Sequence, residues 1–149
     1  SMFIARQIQL HSIPEGALML EITETVLASD EAALLNGIRA IRQLGVRFLI
    51  DDFGTGYSSL SRLNALPLDY LKIDGRLIKN MTKDPVDQAV IESMNRIGHV
   101  LGFKMIAEWV EDAQTLLLLD KIGIDYVQGF QLAEPHPFHS NTTPLGKTH

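Results

Sequence analysis

The chain has 149 residues, 46% of them hydrophobic, and a formal charge of -5. That is enough apolar material for one sizeable core, and too little clustered positive charge for a groove that grips a nucleic-acid polymer. The absence of cysteine excludes disulfides and thiolate metal sites, which leaves oxygen and imidazole ligands and favours hard cations such as magnesium or manganese. No unbroken apolar run exceeds four residues, the four leucines within residues 115–120 included, which is too short to cross a bilayer, so a cytoplasmic segment without membrane contact is expected.

Ser1-Met2 reads as an expression scar ahead of a start, and residues 141–149 as a polar, disordered tail, so one domain over residues 1–140 is expected. Residues 2–13 read as the end of a helix. A strand follows at 18–23, then a helix at 30–44 with Ser29 as its cap and Asp30 and Glu31 in its first turn. Next come a strand at 47–52, a helix at 58–66 and a strand at 70–74. A helix at 85–101, a strand at 104–110, a helix at 113–122 and a strand at 126–128 complete the pattern. Gly45, Gly102 and Gly123 stand where helices should stop.

Strands alternating with helices imply a parallel sheet with right-handed crossovers, either doubly wound and open or a (β/α)8 TIM-like barrel. The polar residues favour the barrel. Glu21, Asp51 and Asp52, Lys72 and Asp74, Glu108 and Gln128 all fall near the C-terminal ends of strands. A barrel gathers those ends around one mouth, whereas an open sheet spreads them along an edge. A full barrel takes about 250 residues and eight strands. The chain is therefore expected to supply about five C-terminal strand-helix units of an incomplete barrel, with roughly three units absent in front.

Asp51-Asp52 stands between the apolar Phe48-Leu49-Ile50 and the loop Gly54-Thr55-Gly56. Two adjacent acids there are costly to bury without cations. Successive strand residues point to opposite faces, so both acids serve one site only if the strand bends or Asp52 lies in the loop. With Glu21 and Glu108 they form a set of hard ligands for two divalent ions, Asp51 bridging, of the kind that clamps a phosphate ester and activates water. Lys72 is placed to orient that water or to neutralise charge on the transition state, and its structural alternative is to pair with Asp74 or Glu108. Gln128 is a neutral donor and acceptor suited to a water or a base edge.

In this order, Glu21-Ile22-Thr23-Glu24, the loop from Asp51 to Ser59, Lys72-Ile73-Asp74-Gly75, Ala107-Glu108-Trp109-Val110-Glu111 and Gln128-Gly129-Phe130 through Pro135 resemble the C-terminal part of an EAL-family cyclic-di-GMP phosphodiesterase. The resemblance implies hydrolysis of cyclic di-GMP to linear pGpG, a bacterial second-messenger reaction, at a site with two magnesium or manganese ions. Position by position it makes Glu21, Asp51, Asp52 and Glu108 metal ligands, Lys72 and Glu108 catalytic, Gln128 a substrate contact and Glu24 the anchor of the glycine loop. Asp74 and Glu111 lie in the motifs without a metal role. The loop from Phe53 to Ser59 would link dimerisation to metal binding.

Trp109 departs from the glycine usual in its motif and is expected to crowd the mouth while removing no ligand. The opening Glu-Ala-Leu motif and the following asparagine strand are absent, so the fragment alone is expected to be inactive, and any membrane anchor of the parent to lie in N-terminal regions. The alternative is an inactive cyclic-di-GMP receptor or protein-docking module, which the retained acids disfavour. Another metal-dependent barrel is disfavoured by the loop that begins at Asp51. His11, His99, His136, His139 and His149 receive no role. An incomplete barrel bares strand edges, so homo-oligomers formed through the edge at residues 18–23 are expected.

Overall fold

A computed structural model describes residues 2–23, 31–53 and 60–134. Helix α1 (Met2–Leu10) leads into strand β1 (Met19–Thr23), and then α2 (Glu31–Arg42), β2 (Arg47–Phe53), α3 (Leu60–Ala65) and β3 (Tyr70–Ile73) alternate. Two helices follow, α4 (Gly75–Asn80) and α5 (Pro85–Val100), before β4 (Lys104–Ala107), α6 (Ala113–Ile122) and β5 (Tyr126–Val127). The expected cap at Ser29, the glycine loop at 54–59, Glu24 and the tail at 141–149 lie outside the described residues.

All five strands are parallel and stand in the order β1-β2-β3-β4-β5. This decides between the two expected architectures. A doubly wound sheet reverses its strand order at a switch point, whereas a barrel adds each strand to the same side of the last. The described residues thus form five consecutive units of a TIM-like barrel.

The helices cover one face of this sheet. Phe48, Ile50, Leu71, Ile73, Met105 and Ala107 join Ile38, Leu63, Ile78, Ile91 and Leu119 of the helices in one buried cluster. Truncating a fully buried member such as Ile50 or Leu71 to alanine should cost about 2–5 kcal/mol. The intervening residues point to the other, concave side. Glu21 pairs with Leu49, and Leu49 with Tyr70, so Glu21, Asp51 and Lys72 share that concave face by register alone.

The helix ends are set by side chains. Asp84 caps α5, which begins with Pro85, and Asp112 caps α6, accepting from the Thr115 amide and hydroxyl at 2.8 Å each. Gly123 ends α6 with φ 82°, a left-handed turn that glycine makes without steric cost. Two elements differ from expectation. Strand β4 ends at Ala107 rather than Val110, because Trp109 turns the backbone to φ 59°. Helix α4 was not expected, since six residues opening on glycine carry too little periodicity to be read. Among the described residues, no helix is long and apolar enough to cross a membrane.

Candidate active site

Asp51 and Asp52 reach one site because β2 is bulged. Between Ile50 and Phe53 the strand takes three steps while its partner β3 takes two, from Leu71 to Ile73. The extra residue returns Phe53 to the helix-facing core and leaves the two acids at the mouth. Asp52 absorbs the bend at φ 56°, a left-handed conformation that aspartate tolerates better than most residues. Its amide donates to Asp51 Oδ1 at 3.0 Å. The bend that the sequence required is therefore present.

Glu108 follows directly on β4. Its Oε1 accepts from the Gly75 amide at the start of α4, at 3.2 Å, and its Oε2 lies 3.3 Å from Lys72 Nζ. One carboxylate oxygen from each of Asp51, Asp52 and Glu108 lies within 4.8 Å of the others. Three acids this close fit a hard divalent cation, which takes oxygen ligands from several carboxylates at once. Glu21 stands apart from this group and meets it through Lys72, whose Nζ is 3.6 Å from Glu21 Oε2 and 3.0 Å from Asp51 Oδ1.

Lys72 is 8% exposed. Burial alone would lower its pKa, but the hydrogen bond to Asp51 and the charges of Glu108, Asp51 and Glu21 outweigh that effect and raise it. Its ammonium is therefore the local counter-charge to the acids. Of its two expected structural partners, only Glu108 pairs with it. Asp74 instead caps α4, accepting from the Arg76 amide at 2.8 Å and pairing with the Arg76 guanidinium. That guanidinium holds the Asp74 carboxyl below the ordinary aspartate range.

Gln128 follows β5. Its backbone joins the ends of two strands, with Gln128 N donating to Ala107 O at 2.8 Å and Val110 N donating to Gln128 O at 3.1 Å. A cleft of about 360 Å³ opens beside it, lined by Lys79, Glu108, Trp109, Gln128, Phe130 and Glu111 among others. The cleft and the acid cluster share Glu108. Trp109 was expected to crowd the mouth, and Phe130 was read only as part of its motif, with no role of its own.

A second set of acids lies at the opposite end of the sheet. Asp69, just before β3, accepts from the Phe48 amide of β2 at 2.9 Å and pairs with Arg42. Asp125, just before β5, accepts from the Met105 amide of β4 at 2.9 Å, from Lys104 Nζ at 2.6 Å and meets His99 Nε2 at 2.7 Å. In barrels that end carries stability and the other carries chemistry.

The family model of the EAL domain matches residues 1–135. The chain belongs to the EAL family. It is 38% identical over 138 residues to the "Cyclic di-GMP phosphodiesterase PdeB" of Shewanella oneidensis, which covers 93% of this EAL chain but only 16% of that protein. The structure of "PaMucR Phosphodiesterase, c-di-GMP complex", its organism abbreviated in that name, matches with a TM-score of 0.83 at 37% identity, over 89% of this chain and 53% of that one. A manganese and cyclic-di-GMP complex of Klebsiella pneumoniae BlrP1 matches with a TM-score of 0.79 at 29% identity, over 87% of this chain and 33% of that one. This EAL chain thus spans less than a fifth of the length of PdeB. Its five strands are those of the EAL barrel.

Proposed function

We propose that this chain carries the C-terminal half of a metal-dependent phosphodiesterase site that opens cyclic di-GMP to linear pGpG. The observation that carries the reading is the convergence of Asp51, Asp52 and Glu108 to within 4.8 Å, with the ammonium of Lys72 paired to Asp51 and Glu108. Cyclic di-GMP appears in the names of PdeB and of the MucR and BlrP1 complexes, which supports the choice of substrate.

Asp51, Asp52 and Glu108, with Glu21 on the far side of Lys72, would hold magnesium or manganese. Such ions supply charge neutralisation of the phosphodiester and activation of water. The chain's own groups do the remaining work. Lys72 positions the attacking water and stabilises charge that develops on the phosphate oxygens. Glu108 is held by the Gly75 amide on one oxygen, so its other oxygen keeps a fixed direction toward the site. Gln128 offers a donor and an acceptor to the bound dinucleotide.

The test is turnover of cyclic di-GMP with manganese, run on this chain and on the same chain joined to the preceding strands of an EAL domain. We expect pGpG only from the joined form, and Asp51→Asn to abolish it. Binding without turnover in both forms would make the protein a receptor and overturn the enzymatic reading.

A further inference from the structure

Trp109 is the single tryptophan of the chain, and its backbone lies at φ 59°, a conformation that bulky side chains rarely adopt. An outlier of this kind is a reason to look for a function. The indole lies on Gly75, where an added Cβ would sit 2.3 Å from Cδ2, 2.4 Å from Cγ and 2.8 Å from Cε3. Any other residue at position 75 would displace the ring. The rest of the side chain faces the cleft, and Trp109 remains 48% exposed.

The wall is firm. Gln131 N donates to Val110 O at 3.0 Å, and Gly129 allows the two loops to touch, since a Cβ there would meet Val110 O at 2.3 Å. Phe130, 65% exposed, adds a second aromatic surface to the same cleft. Glu111 and Lys79, 3.7 Å apart, offer it an acceptor and a donor. A guanine edge carries N–H donors beside a carbonyl acceptor, which complements that pair. Glu108 belongs to both the cleft and the acid cluster, so a nucleotide with its phosphate at the acids would have its base beside the cleft.

We propose that Trp109 is a stacking platform for one guanine of the cyclic dinucleotide, an assignment that rests on the phosphodiesterase reading and makes position 109 a determinant of substrate affinity. Loss of a base-stacking aromatic weakens binding by roughly 5- to 100-fold.

The experiment titrates the 149-residue chain with cyclic di-GMP in magnesium, following tryptophan emission and, independently, the heat of binding. We expect emission to change along the calorimetric isotherm, W109A to bind roughly 5- to 100-fold more weakly and W109F to bind nearly as well as the parent. Unchanged calorimetric affinity in W109A overturns the platform, whatever the emission does, and leaves the phosphodiesterase reading standing. Should W109A fail to fold, the parent decides: emission that follows the isotherm supports the platform and silent emission overturns it. Absence of any binding by the parent at millimolar ligand overturns the platform in this chain, while the phosphodiesterase reading is decided separately by turnover in the joined form.

Discussion

Lys72 Nζ lies 3.0 Å from Asp51 Oδ1 and stands where three acids would otherwise repel one another. The same arrangement makes the lysine and a divalent cation alternative sources of positive charge for one cluster. In Lys72→Met the acids lose that charge, and we expect a stability loss of about 2 kcal/mol in chelator, tempered because the acids are partly exposed. Magnesium should then raise the melting temperature of the variant more than that of the parent. Thermal melts of both proteins, with and without magnesium, check this, and an equal or smaller rise in the variant rejects it.

The bulge at Asp52 separates two roles of one residue. Asp52→Asn keeps a side chain that tolerates the left-handed turn but removes its charge, so metal affinity should fall by about tenfold or more with little change in stability. Asp52→Val should also lose about 1–2 kcal/mol, because a β-branched side chain is strained at φ 56°. Urea melts beside a manganese titration distinguish the two, and equal stability in both variants would refute the strain argument.

Gly75 and Trp109 fit as a pair. Gly75→Ala should destabilise the chain by about 1–3 kcal/mol through collision with the indole. Combining it with Trp109→Gly should recover part of that loss, because the ring is gone and the backbone at 109 is relaxed. A double-mutant cycle measured by denaturant unfolding gives the coupling, and additive losses would show that the two residues do not meet.

Asp125 makes stability depend on acid pH. Burial would raise its pKa, but Lys104, the Met105 amide and His99 hold it down to about 2. Between the ordinary value of 3.8 and about 2, the unfolded chain binds the proton more readily than the folded one. The stabilisation is therefore complete above pH 4 or so and lost as pH falls through about 2, and it amounts to about 2 kcal/mol. Unfolding of the parent and of Asp125→Asn should differ at neutral pH and converge near pH 2. Parallel profiles down to that pH would contradict the assignment.

Strand β1 is paired by β2 on one side, and no strand pairs its other side among the described residues. We expect the isolated chain to self-associate through Met19–Thr23. Sedimentation velocity over a concentration series reports this directly, and a stable monomer at micromolar concentration is the result that rules it out.

Much of the fold was legible because apolar runs such as Phe48-Leu49-Ile50 and Tyr70-Leu71 read as strands, and Gly123 ends α6 in the sequence as it does in space. The acids were legible for a similar reason: each follows or ends a strand, and barrel topology brings such ends together. What could not be read was backbone conformation. Nothing in the letters of Asp52 or Trp109 announces a left-handed turn, yet one turn brings Asp51 and Asp52 to a common mouth and the other ends β4 early. The pairing of Asp125 with His99 and Lys104 was equally hidden, since it spans more than twenty residues and depends on register.

Asp69 and Asp125 each lie just ahead of a strand and bind the amide of the second residue in the strand before it. Each acid thereby locks a new strand against its predecessor from below, before the chain has climbed to the catalytic rim. Alignment is settled far from the chemistry. The rim can consequently carry a bulge, a left-handed tryptophan and a knot of like charges without any of them having to hold the strands in step, and evolution can revise one end of the barrel while the other keeps count.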